Sequence, residues 1–176
     1  PAIRSQGASG GVISAILIHL LEEGKVDGAV VLGMDEASPW SAKVRIARTA
    51  AEVIAAAQSK YSLSPVNTVL AELEHLDGVF AYVGLPCQVH SLRKLQAVGH
   101  PGAGKISYVI GSYCGNILHF DAVRSFLRNN GVDDIEQVVS LQYRAGEWPG
   151  YMRVELRSGE VLALKKFYAN YLIPFF

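Results

Sequence analysis

Residues 79–94 read VFAYVGLPCQVHSLRK. Val79 to Val83 is a short apolar run with β-branched and aromatic members, the composition of a buried strand. Gly84 and Pro86 break it, and Val89, Leu92 and Leu95 then recur at helical spacing. Cys87 therefore falls on a tight strand-to-helix turn, at the first turn of the helix. Unpaired backbone N–H groups and the positive end of the helix dipole favour a thiolate there over a thiol. Such a thiolate suits a nucleophile or a metal ligand. The same residue also reads as a buried free cysteine acting as a small hydrophobe, the commonest state of a lone Cys.

Residues 105–113, KISYVIGSY, form a second apolar strand that also runs into a cysteine followed by glycine, in Gly111-Ser112-Tyr113-Cys114-Gly115. A helical pattern follows from Asp121, with Val123, Phe126 and Leu127 on one face. The two cysteines of the chain thus fall at the C-terminal ends of consecutive strands in strand–helix–strand order. In an open parallel sheet those ends form the crevice where ligands bind. Neighbouring strands lie ~5 Å apart, which brings two such thiols within reach of one shared object.

The chain has 176 residues, enough for one domain with a sizeable core. It is 50% hydrophobic and 18% charged, ordinary to slightly apolar for a globular protein. Sixteen basic and sixteen acidic side chains balance to zero, so no basic stripe exists to replace phosphate counterions and nucleic acid is not an expected partner. No apolar run approaches the ~20 residues of a membrane span, and no signal peptide is visible. Two cysteines make no disulfide scaffold, and a reducing, cytoplasmic setting is the expectation.

The opening, PAIRSQGASGG, offers little that could pack. Val12 to Leu21 is a strong helix ended by Glu22, Glu23 and Gly24. Ser9-Gly10-Gly11 at its start exposes backbone amides without side-chain obstruction, either as a seat for a phosphate or simply as a flexible lead into the helix. His19 is expected to be packed rather than a ligand. Val26 to Gly33 reads as a buried strand, and Lys43 to Ala47 as a strand with one exposed face. Thr49 and Glu52 form a capping box for a helix from Ala50 to Gln58. The polar cluster Ser59-Lys60-Tyr61-Ser62 reads as a solvated loop or as a clamp for an anionic cofactor. Val66 to Leu76 is an amphipathic helix.

Beyond Cys114, a helix from Phe120 to Asn130 closes at Gly131, and Val138 to Tyr143 is a strand. Gly146 to Gly150 is a break. Tyr151 to Leu156 and Val161 to Lys166 flank Arg157-Ser158-Gly159-Glu160, a hairpin signal. The chain stops at LIPFF, an apolar ending expected to continue into a longer protein.

Cys87 and His90 are three apart at a helix start, which would suit a Cys–His nucleophile, although no third orienting group is evident. Zinc needs four ligands at recognisable spacing, and the pair supplies two. Thiolates at two loop ends better suit a soft metal centre, with an iron–sulfur cluster the leading candidate and its remaining ligands coming from elsewhere.

Five stretches in order resemble the coenzyme F-420-reducing hydrogenase/dehydrogenase beta-subunit family. They are Ser9-Gly10-Gly11-Val12, then Glu23-Gly24-Lys25-Val26-Asp27-Gly28 before an apolar strand, then Ser59-Lys60-Tyr61 with Ser64-Pro65. Gly84-Leu85-Pro86-Cys87-Gln88 with Leu92-Arg93-Lys94 is the most specific piece, and Gly111-Ser112-Tyr113-Cys114 completes the set. The resemblance implies a flavoprotein that binds FAD and a four-iron four-sulfur (4Fe-4S) cluster. It would pass electrons between a deazaflavin of the F-420 type, or a similar acceptor, and a partner redox subunit or carrier. Carried over by position, Cys87 and Cys114 are two of four cluster ligands, the other two forming a Cys-x-x-Cys pair beyond Phe176. Ser9 to Gly11 and Ser59 to Tyr61 line the flavin site, joined by Gly84, Pro86 and Gln88, with Lys60 expected to stabilise charge beside the flavin or its phosphates.

The expected fold is a single α/β domain over residues 1–176, with a central, partly parallel sheet flanked by helices and an antiparallel hairpin near the C-terminus. Flavin would do the hydride chemistry and the cluster would relay single electrons. Two rivals remain open: a flavin-free binding or assembly subunit of the same fold, and a Cys87-nucleophile enzyme. A homo-oligomer is also compatible with the sequence.

Overall fold

The computed structural model describes residues 2–115, 117–147 and 150–164. They group into two compact units. The first gathers the described residues of Pro1–Gly33, Lys43–Ala57 and Ser64–Gly115, and the second those of Met34–Ala42, Gln58–Leu63 and Asn116–Phe176. The LIPFF ending, Lys165 and Lys166 of the expected last strand, and Trp148 and Pro149 of the expected break lie outside the described residues.

The first unit is built on a four-stranded sheet of order β2-β1-β3-β4. Its strands are β1 (Gly28–Met34), β2 (Ala42–Ala47), β3 (Phe80–Gly84) and β4 (Ile106–Gly111). β1, β3 and β4 run parallel, with Gly28 level with Phe80 and Gly84 level with Gly111. Parallel strands need long crossovers, and the helices that supply them cover the sheet on both faces. Side chains of a strand alternate between faces, and two cores result. Ala29, Val31 and Ala81 pack with Leu17, Ile18 and Leu20 of helix α2 (Val12–Glu22) and Val53 of helix α3 (Ala50–Ala55). Val30, Phe80 and Tyr82 face the other way. They meet Val69, Leu70 and Leu73 of helix α4 (Val69–Leu73), Leu92 of helix α5 (Pro86–Ala97) and Ala103 of helix α6 (Pro101–Gly104).

The structure departs from the sequence pattern in four places. The opening does pack: Ala2–Gln6 forms helix α1, and Ile3 lies against the α2 core. His19 is exposed rather than packed, because the buried side of α2 is Leu17, Ile18 and Leu20. The segment 66–76 is not one helix, since Pro65 leads a 3₁₀ turn, Val66–Thr68, before the short α4. The helix after Thr49 ends at Ala55, and Gln58 turns into the left-handed region at φ 74°.

The capping box is present. Thr49 Oγ1 accepts from the Glu52 N–H at 3.2 Å, and Glu52 Oε2 accepts from the Thr49 N–H at 3.1 Å. The Arg48 N–H adds a further bond, and together these donors hold the Glu52 carboxyl below its ordinary range. Thr49→Ala removes the cap from a short helix. We expect about 1 kcal/mol less stability, read as a lower urea midpoint at unchanged slope.

In the second unit, helix α7 (Phe120–Arg128) buries Ala122, Val123, Phe126 and Leu127. They pack against an antiparallel sheet of order β5-β6-β7, made of Val138–Ala145, Tyr151–Leu156 and Val161–Leu164. Gly159, at φ 86°, turns the β6–β7 hairpin. Early segments complete this unit: Trp40 stacks on Phe120 at 5.2 Å, and Ser62 forms a parallel bridge with Leu118.

Candidate functional site

The register of β3 and β4 places the two cysteine turns side by side. Gly84 and Gly111 are paired, and the Ser112 N–H donates to the Gly84 carbonyl at 2.9 Å, carrying the ladder one bond beyond the strands. Pro86 is the first residue of α5, where a missing N–H costs nothing. Cys87 follows it, within the first turn. Cys114 lies three residues past the end of β4. Both are free and exposed, which removes the reading of Cys87 as a buried hydrophobe. Tyr113 beside Cys114 is fully exposed.

Other groups near Cys87 are turned into the protein's own structure. Gln88 Oε1 accepts from the Leu85 N–H at 2.8 Å, and Gln88 Nε2 donates to the Ser64 carbonyl at 3.2 Å. Asn67 Nδ2 donates to the Gln88 carbonyl at 3.4 Å, while Asn67 Oδ1 accepts from the Tyr82 hydroxyl at 2.5 Å. Burial and the nearby Cys87 sulfur push the Tyr82 hydroxyl up to about 12. Gly84 has a packing reason to be glycine, because a Cβ there would stand 2.5 Å from the Tyr82 ring. Tyr82 and Asn67 escaped the sequence reading. One looked like ordinary strand filling, and the other sat in a stretch read as continuous helix.

The glycine turn before α2 belongs to the same unit. Gly10 and Gly11 have φ of 116° and 79°, and the N-cap Gly11 makes no side-chain bond to the first turn of α2. Its leading N–H groups therefore carry the partial positive charge that anions seek. Ser9 and Gly10 are exposed. A Cβ on Gly10 meets nothing within 4 Å, whereas one on Gly11 would press on Ile3 at 2.8 Å.

Ser59, Lys60 and Tyr61 lie in the second unit and are partly buried there. Lys60 Nζ donates to the Gln58 carbonyl at 3.1 Å. Tyr61 packs edge-on against Tyr143 at 5.6 Å, and its carbonyl accepts from the Leu118 N–H. Ser62 is buried. Half of this cluster is thus core rather than solvated loop. Burial pushes the Tyr143 hydroxyl up to about 12; the Ser62 hydroxyl eases that shift without making a hydrogen bond of good geometry.

Residues 1–71 match the family described as coenzyme F420 hydrogenase/dehydrogenase, beta subunit N-term, and residues 78–170 match its C-terminus counterpart. The chain belongs to the coenzyme F420 hydrogenase/dehydrogenase beta-subunit family, a family of oxidoreductase subunits. It is 34% identical over 164 residues to a coenzyme F420-dependent sulfite reductase of Methanocaldococcus jannaschii, covering 85% of this chain and 26% of that one. It is 26% identical over 151 residues to the coenzyme F420 hydrogenase subunit beta of Methanosarcina barkeri, covering 83% and 52%. Among solved structures, a chain of the F420-reducing [NiFe] hydrogenase complex from Methanosarcina barkeri superposes with a TM-score of 0.68. That alignment has 25% identity and covers 92% of this chain and 56% of the other. The chain spans about half the length of these hydrogenase relatives. No helix among the described residues is long and apolar enough to cross a membrane.

Two exposed thiols on neighbouring strand ends fit half of a cluster's ligands. Among the described residues no group of three or more His, Cys, Asp or Glu gathers, so the further ligands would come from outside them. The glycine-led start of α2 fits a pyrophosphate.

Proposed function

We propose that this chain is the flavin- and cluster-holding part of an F420-linked oxidoreductase, passing electrons between a deazaflavin-type carrier and a partner redox subunit. The observation that carries the reading is the pair of exposed cysteines at the C-terminal ends of neighbouring parallel strands, in a chain of this family. When bound, FAD would supply hydride chemistry and a 4Fe-4S cluster would relay single electrons. The chain's own residues bind and orient. Cys87 and Cys114 would hold iron through their sulfurs. Ser9, Gly10 and Gly11 would admit the flavin pyrophosphate to the amides of α2. Lys60, in the second unit, is the cation we propose for charge stabilisation beside a flavin. Pro86 starts α5, and Gln88 ties the turn to Leu85 and Ser64.

The flavin arm is tested by a matched pair at Gly10. Both Gly10→Ala and Gly10→Glu force a side chain into a left-handed backbone, at about 1 kcal/mol of strain each. Glu alone adds a negative charge and bulk against the pyrophosphate. The expected result is FAD occupancy near normal in Gly10→Ala and lost in Gly10→Glu, read by the visible absorbance of the flavin after denaturing release. Equal occupancy in both would exclude this seat.

A further inference from the structure

We propose that Tyr82 and Asn67 are positioning residues that fix the turn carrying Cys87, a role that rests on reading Cys87 as an iron ligand. The geometry is a closed chain of contacts. The Tyr82 ring lies along the strand over Gly84, where any Cβ would collide with it, at 2.5 Å from the ring and 3.0 Å from the hydroxyl oxygen. That path delivers the hydroxyl to Asn67 Oδ1 at 2.5 Å. Asn67 then spends its other group on the carbonyl of Gln88, the residue after Cys87. Gln88 in turn grips the turn from both sides, through the Leu85 N–H and the Ser64 carbonyl. A buried phenol thus braces the helix start that bears an exposed thiol. The Tyr82 side chain is wholly buried, and apolar packing alone would be satisfied by phenylalanine. Its hydroxyl is explained by the brace. Ligand-orienting partners of this kind shape metal sites as much as the ligands do.

The test uses the full-length protein, with and without anaerobic reconstitution by ferrous iron and sulfide. In the iron-free protein, amide exchange of residues 85–90 is compared with residues 106–111 of the adjacent strand. In the reconstituted protein, the rate at which a chelator strips iron is measured. Tyr82→Phe removes one buried hydrogen bond and should speed both readouts about fivefold, the worth of a single such bond, while exchange in 106–111 stays put. Asn67→Ala should do the same, and Gly84→Ala, which displaces the ring but keeps the hydroxyl, serves if Tyr82→Phe folds poorly. Native values for both readouts in Tyr82→Phe would overturn the proposal. So would an acceleration shared equally by 106–111, which reports general loosening. Cys87→Ser separates the underlying reading: full iron in that variant removes the ligand role, and with it a brace that serves a ligand, even where exchange has quickened.

Discussion

Cys87→Ser is expected to leave a folded protein that no longer retains iron after anaerobic reconstitution. Even a residue that merely orients a ligand is worth about 10- to 100-fold in metal affinity, so losing a thiolate ligand should cost at least about a hundredfold. Cys114→Ser should behave alike, because the two turns sit at paired strand ends. Stability should move by no more than about 0.5 kcal/mol in either variant, since both side chains are exposed and neither belongs to a core. Iron per chain, the visible absorbance of the cluster and a urea titration decide the matter together. FAD occupancy should persist in both, because the proposed pyrophosphate seat is at α2. Undiminished iron in either variant would end the cluster assignment.

The largest effect on stability is expected at Gly102. This glycine is buried in α6, and a Cβ there would stand only 2.0 Å from the Leu70 carbonyl oxygen of α4. Backbone meets backbone at that point, so no side chain can swing away to make room. Gly102→Ala must push α6 off α4 and disturb Ala103 and Ile106 in the same core. Overpacking of this kind costs about 1–3 kcal/mol and occasionally more, and rigid walls place this case at about 3. Gly104→Ala is the control, since a Cβ there meets nothing within 4 Å. It should stay within about 0.5 kcal/mol of the native protein. Urea unfolding of both, with slopes compared, checks the expectation.

Much of the fold was legible because its signals are local. The apolar run before Gly84-Leu85-Pro86 announces a strand and a stop, Thr49 and Glu52 announce a helix start, and Ser158-Gly159 announces a reversal. Each works through neighbours a few residues away, and each is present in the structure. The parallel sheet and the exposed cysteine turns follow from the same punctuation. What escaped depends on partners distant in sequence. Tyr61 and Ser62 look like a polar loop until Tyr143 and Leu118 arrive to bury them. Asn67 looks like a residue on a helix face until Tyr82 donates to it from the sheet. Gln88 carries no sequence signal for the two bonds its side chain makes, to Leu85 and Ser64. A pattern of apolar spacing records which residues are inside. It does not record to whom a buried polar group is bonded.

The backbone passes between the two units at 33/34, 42/43, 57/58, 63/64 and 115/116. No single cut can therefore dissect one unit from the other as an intact piece. Severing after Gly115 would strand Trp40 without Phe120 and Ser62 without Leu118. The same threading orders events during synthesis. The four strands of the first sheet are all translated by Gly111, but the second core has to wait for helix α7 and its hairpin before the two early segments find their places. Until then its aromatic side chains stay open to solvent and to other nascent chains, the stage at which such proteins are most prone to aggregate.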